Sequence, residues 1–136
     1  MANYKEAISK VLKHEGGYVN DPDDKGGETY KGISRKNWSK WIGWQFIDGA
    51  KYNANFPKCL TDIPALQDSV ISFYKRNFWE PIGGDNIKDQ SIANMLVDAA
   101  VLEGINPAIK RAQRIVGIGQ TGIFSEELKI KLNSLV

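Results

Sequence analysis

The stretch "HEGGYVNDPDDKGGETYKGIS", residues 14–34, sets glycines, acidic residues and the single histidine of the chain into one continuous connection. It follows a segment in which Tyr4, Ala7, Ile8, Val11 and Leu12 recur three and four residues apart, the spacing of one helical face. Asn3 and Glu6 are spaced like a capping box, with Asn in the place of the usual Ser or Thr. At about 100° per residue, Glu15 returns to within roughly 20° of the direction of Tyr4. The last turn of a helix over Tyr4 to Glu15 therefore aims a carboxylate where a core side chain is expected. Gly16 and Gly17 then stop the helix by supplying the backbone freedom of a C-terminal cap. Asn20-Asp21-Pro22-Asp23 and Lys25-Gly26-Gly27 are turn signals, and Thr29, Tyr30 and Ile33 offer short extended pieces. A loop or small irregular hairpin is the expected form.

Downstream of that connection the helical spacing returns. Ser34 is placed to cap a second helix with Trp38, Trp41 and Ile42 on one face, Gly43 and Trp44 at its end, and Asp48-Gly49 as a breaker. Thr61 or Asp62 caps a helix with Pro64 in its first turn, carrying Leu66, Val70, Ile71, Phe73, Tyr74 and Phe78 as far as Pro81. Ser91 is expected to open a helix reaching Gly104, Pro107 another, and Ser125 a last one with Leu128, Leu132 and Leu135. The expected fold is one mainly α domain over residues 1–136, with a core over about 1–104 and a helical tail over about 105–136 packed on it.

Composition narrows the function classes. The 136 residues suit one domain with a substantial core, and 42 % apolar with 25 % charged residues is ordinary for a globular protein. Eighteen Lys and Arg against sixteen Asp and Glu leave a formal charge of +2, too small for nucleic acid to be the main partner. No segment has the length of a membrane span, so stable membrane insertion is not expected. The N-terminus lacks the apolar run of a secretory signal. One Cys and one His exclude an intramolecular disulfide and make a zinc site improbable, so neither metal nor cofactor is expected.

The connection holds the chemistry. Two effects at Glu15 reinforce each other, because an apolar face and the negative end of a helix dipole both disfavour the ionised carboxylate. An acid kept protonated near neutrality is what donation to a leaving oxygen requires. The plain alternative is an exposed residue at a fraying helix end, or one paired with a nearby cation. An inverting glycosidase needs a second carboxylate to hold water, and Asp24 or Glu28 fits better than Asp21 and Asp23, which flank Pro22 as turn residues. Thr29 offers a hydroxyl for the same water. Among the aromatic residues, Trp38, Trp41, Phe73, Tyr74 and Phe78 fall at core spacings, whereas Tyr18 beside Glu15 and Trp79 before Glu80-Pro81 are placed to meet a sugar. "NDPDDKGGE" lacks the ligand order of an EF-hand, and no phosphate-binding helix opening follows Gly26-Gly27.

"HEGGYVNDP", followed by "GGET" and "KGIS", resembles family 108 of the glycoside hydrolases, the N-acetylmuramidases of phage endolysins and bacterial cell-wall proteins. "FYKRNFWEPIGGD" at 73–85 and "DAAVLEG" at 98–104 are similar to later segments of that family. "AIKRAQRIVGIGQTGIFSEEL" is similar to its peptidoglycan-binding-like tail, with Ala112-Gln113 and Gln120-Thr121-Gly122 departing from the Leu-Gln pair and Asp-Gly turn seen there. The resemblance implies a lysozyme-like helical fold and hydrolysis of the β-1,4 bond between N-acetylmuramic acid and N-acetylglucosamine in peptidoglycan glycan strands, with Glu15 as the catalytic acid. A monomer is expected, and the missing signal fits a protein made in the cytoplasm and acting at the wall or periplasm, by phage-type holin release or another route. A lytic transglycosylase using the same glutamate, and a non-catalytic wall-binding or secretion-assisting protein, are the alternatives.

Overall fold

The computed structural model describes residues 1–14, 16–21, 23 and 27–135, His14 by its backbone alone. Among the described residues, six α-helices and a three-stranded sheet follow in the order α1 (Tyr4–His14), β1 (Tyr18–Asn20), β2 (Glu28–Tyr30), β3 (Ile33–Ser34), α2 (Gly43–Ala50), α3 (Pro64–Tyr74), α4 (Gln90–Glu103), α5 (Ile105–Val116) and α6 (Glu126–Asn133). Short 3-10 turns at Lys58–Asp62 and Gly84–Asn86 and a π-helical turn at Lys75–Trp79 fill the connections. The expected mainly α class with a small β element after the first helix is the class observed. The chain forms two compact units, Leu12–Phe73 and Met1–Val11 with Tyr74–Val136.

In Leu12–Phe73 the sheet is antiparallel in the order β1-β2-β3, with Tyr18 opposite Tyr30, Asn20 opposite Glu28, and Tyr30 opposite Ile33. Lys31 and Gly32 both take positive φ, 46° and 82°, as a two-residue hairpin turn demands of its central pair. Tyr30, Ile33, Trp44, Ile47, Leu60, Leu66 and Val70 are buried. The second helix departs from expectation. Residues 35–42 are turns and irregular backbone, and α2 begins at Gly43, where the spacing of the tryptophans had suggested an end. The tryptophans gather around Phe73 instead: Trp38 meets it edge-on at 4.8 Å and Trp41 at 6.0 Å, while the Trp44 Nε1 donates to the Trp38 carbonyl over 2.9 Å. Glycine is required at 43, because a Cβ there would stand 2.2 Å from the Trp41 ring. Asp48 and Gly49 continue the helix rather than break it.

In the other unit, Ala7, Ile8 and Val11 bury the apolar face of α1, and Asn3 Oδ1 accepts from the Glu6 N–H over 3.1 Å as the cap reading expected. Trp79 is fully buried, which corrects its expected contact with sugar. Its ring packs on Tyr4 at 5.4 Å, its Nε1 donates to Asp85 over 2.8 Å, and a Cβ on Gly84 would lie 2.2 Å from it. Asp89, not Ser91, caps α4 by accepting from Ile92 N–H, and α5 starts at Ile105, ahead of Pro107. Ser125 caps α6 as expected. α5 packs on α4 and α6 on α5 within this same unit, and an apolar groove of about 210 Å³ lies among Ile92, Met95, Leu96, Ile115, Leu132 and Leu135.

Candidate active site

Glu15 and Asp24, the expected acid and its candidate partner, lie outside the described residues. The structure describes what flanks them. Helix α1 is described as far as His14, and Gly16 and Gly17 follow residue 15. Among the described residues beyond its chain neighbours, none brings a heavy atom within 4 Å of where a Cβ on either glycine would stand. Such open backbone is what an approaching ligand needs. The Gly17 carbonyl accepts from the Lys31 N–H over 3.2 Å, which ties this turn to the β2–β3 turn.

Thr29 sits at the centre of β2, partly exposed, opposite Val19 on β1 and Ser34 on β3. Side chains alternate along a strand, so Thr29 faces away from the side taken by Glu28 and Tyr30. Lys31 closes that strand: its Nζ donates to Gln67 Oε1 over 2.7 Å, while Gln67 Nε2 donates to the Tyr30 hydroxyl over 3.0 Å and to the Leu60 carbonyl over 2.9 Å. Burial pushes the Lys31 ammonium below its ordinary pKa.

Tyr18, the expected sugar contact, and Glu28, a candidate for the second carboxylate, are brought together. The Tyr18 hydroxyl donates to Glu28 Oε2 over 2.5 Å, and its ring meets Phe56 edge-on at 4.9 Å. Lys51 Nζ reaches the same Oε2 at 2.8 Å, and Arg35 Nη1 reaches Oε1 at 2.9 Å. Asp48 receives both Arg35 nitrogens at 2.8 Å and Lys51 at 3.0 Å. The Arg35 guanidinium lies 5.2 Å from the Trp44 ring, and its backbone N–H donates to the Glu28 carbonyl over 2.9 Å.

Two carboxylates and two cations thus balance in one network. The Glu28 side chain is only 11 % exposed, and burial would raise its pKa, but hydrogen bonds from Lys51, Tyr18 and Arg35 outweigh burial and hold it below the ordinary value. Arg35 and then Lys51 hold Asp48 well below the usual carboxylate range. The bond to Glu28 raises the Lys51 pKa, and the bond to Asp48 raises that of Arg35. Burial raises that of Tyr18, with the Glu28 bond adding to it. With both its oxygens taken and its charge held, Glu28 is not equipped to donate a proton.

Arg35, Asp48 and Lys51 escaped the sequence reading. The one local signal was the Asp48–Lys51 spacing on α2, since the remaining links join positions far apart in sequence. Among the described residues, no group of three His, Cys, Asp or Glu is placed to hold a metal ion, and no helix is long and apolar enough to cross a membrane.

A small sheet directly after the first helix, a glycine-flanked residue 15 and a mainly helical remainder define a helical domain of the lysozyme-like class. Brucella abortus SagA shares this fold, with a TM-score of 0.64 and 24 % identity over 98 % of this chain and 70 % of that one. The chain belongs to the glycosyl hydrolase 108 family, whose model matches residues 8–104. Comparison with curated proteins yields no match.

Proposed function

We propose that this protein is a peptidoglycan hydrolase that cleaves the β-1,4 bond between N-acetylmuramic acid and N-acetylglucosamine, with Glu15 as general acid. The observation that carries the reading is the family match over residues 8–104, which includes Glu15 and the hairpin after it. Glu15 gives its proton to the glycosidic oxygen as the bond to the anomeric carbon breaks. Water adds to that carbon from the other side; either Asp24 orients the water and takes up its proton, or Thr29 orients it while the proton passes to bulk water. The open backbone at Gly16 and Gly17 supports approach of an extended glycan at this point.

The test is release of reducing ends from purified peptidoglycan by the wild type and by Glu15→Gln. A positioned general acid contributes on the order of 10²- to 10⁴-fold, so the variant should lose at least 100-fold while keeping its circular dichroism spectrum. Activity within a few-fold of wild type in Glu15→Gln removes the assignment. Mass spectrometry of the released ends decides the chemistry: hydrated muramic ends support hydrolysis, whereas 1,6-anhydro ends replace it by transglycosylation.

A further inference from the structure

We propose that Glu28, Arg35, Asp48, Lys51 and the Tyr18 hydroxyl form a positioning network that fixes the base of the 21–27 connection for the hydrolytic step, an inference that rests on the hydrolase reading above. None of the five is itself a catalytic residue.

Position is the starting argument. Asn20 and Glu28 form the last paired rung of the β1–β2 ladder, so Glu28 stands where the connection carrying Asp21, Asp23 and Asp24 leaves the sheet. Tyr18 is the diagonal neighbour of Glu28 across the strands, and its hydroxyl closes the rung from the β1 side. Arg35 and Lys51 carry the restraint to α2 through Asp48, whose carboxylate is bound by Arg35 and Lys51. The connection's base is therefore fastened to a helix by two cations that each bridge two carboxylates.

Charge supplies the second argument. A buried carboxylate stripped of its partners costs several kcal/mol, so a site holds one only where cations compensate it. Here two negative and two positive groups cancel, and every Glu28 oxygen has a donor. A group so saturated fixes geometry rather than exchanging protons. Strand alternation completes the picture, since the network grips one face of β2 and leaves Thr29 on the other. Holding Glu28 sets the strand register and with it the direction of the Thr29 hydroxyl.

The experiment compares wild type, Glu28→Gln, Asp48→Asn, the double variant and Tyr18→Phe. Each is measured for melting temperature, for kcat and apparent KM on peptidoglycan, and for amide hydrogen exchange at Asn20, Glu28 and Thr29. The expected result is a fall in kcat of about 10- to 100-fold in Glu28→Gln, the range that a misplaced reacting group produces, with KM changed less than threefold. Asp48→Asn falls in the same direction although it touches neither strand, and the double variant is no worse than about the poorer single, as one shared restraint requires. Exchange at the three amides rises at least 10-fold in each single variant.

Loss of activity in Glu28→Gln to the level of Glu15→Gln, with Asp48→Asn at wild-type kcat, overturns the proposal by making Glu28 a direct participant. Unchanged exchange and unchanged kcat in both singles overturn it as well. If Glu28→Gln fails to fold, Tyr18→Phe, which keeps the ring and removes one hydrogen bond, decides by the same exchange and kcat readings. Absence of glycan cleavage by the wild type refutes the hydrolase reading and with it the catalytic part of the proposal, while the exchange reading still tells whether the network restrains the hairpin.

Discussion

Replacing Gln113 by Leu removes the one described side chain that is both polar and buried in the core, and the structure gives the cost. Gln113 Nε2 donates to Thr121 Oγ1 over 2.9 Å and to the Ile123 carbonyl over 3.2 Å, and its Oε1 accepts from the Gly122 N–H over 3.0 Å. These bonds hold the turn between α5 and α6. Thr121 and Ile123 are exposed and can turn to water, whereas Gly122 is buried and cannot. The expense therefore concentrates on one orphaned N–H, about 1–3 kcal/mol, plus roughly 0.5–1 kcal/mol for the bonds that water replaces. Gly122 cannot move aside easily, since its φ is 79° and a Cβ there would strike Asn106 at 2.2 Å, marking a tightly fitted backbone. A net loss of about 2 kcal/mol corresponds to a melting temperature roughly 8 °C lower for a chain of this size. Calorimetry of the two proteins at pH 7 measures it. A fall of less than about 2 °C would refute the reasoning, because it would mean that the Gly122 N–H finds another acceptor.

Two further outcomes follow from the geometry. Glu28 and Asp48 are held below their ordinary pKa values, so the stability they contribute is complete above the unfolded values of about 4.3 and 3.9 and is lost as pH falls through the lower folded ones. Urea midpoints should therefore drop more steeply below about pH 4 in wild type than in the Glu28→Gln, Asp48→Asn double variant, and parallel curves would contradict the network. Glycine positions should split in sign: Gly84→Ala drives a Cβ into the Trp79 ring and should cost about 1–3 kcal/mol, while Gly49→Ala, in α2 with open space around it, should gain about 0.5–1 kcal/mol by chemical denaturation.

Periodicity worked where a single apolar face meets a single core. Helix α1 and the Ser125 cap of α6 follow their local signals, because the side chains that specify them lie within one or two turns. It failed at the tryptophans. Trp38 and Trp41 recur at a helical interval, but their rings close around Phe73 from outside any helix while Trp44, on α2, meets Trp41 edge-on, and only tertiary packing distinguishes this from a helix. Trp79 misled for a related reason. Its place at the end of an apolar run reads as exposed, yet Gly84 lets the following backbone lie against the ring and Asp85 takes its N–H, a fit that Gly83-Gly84-Asp85 hints at only in retrospect.

At the candidate site, the sequence located the small hairpin after the first helix, but neither the ion network nor the bond from Tyr18 to Glu28. Glu28 and Arg35 are seven residues apart and Arg35 and Asp48 thirteen, distances at which no helix or strand period brings side chains together. Their acidic and basic identities in the sequence are indistinguishable from those of solvated surface charges. The fold makes the difference, by pairing them and shutting most of the water away from one of them.

The unit that combines Met1–Val11 with Tyr74–Val136 is discontinuous in the chain, and this has a bearing on biosynthesis. Ala2 donates its N–H to the Ile87 carbonyl and Asn3 exchanges hydrogen bonds with Gln90, so the opening residues find their partners only after the polypeptide has been made past position 90. The intervening Leu12–Phe73 segment emerges from the ribosome earlier, and its hairpin and the Glu28–Arg35–Asp48–Lys51 network pair residues of that segment with one another. Assembly is thereby ordered in time: the middle can fold first, while the start of the chain waits on the ribosome's later output before its apolar face is covered.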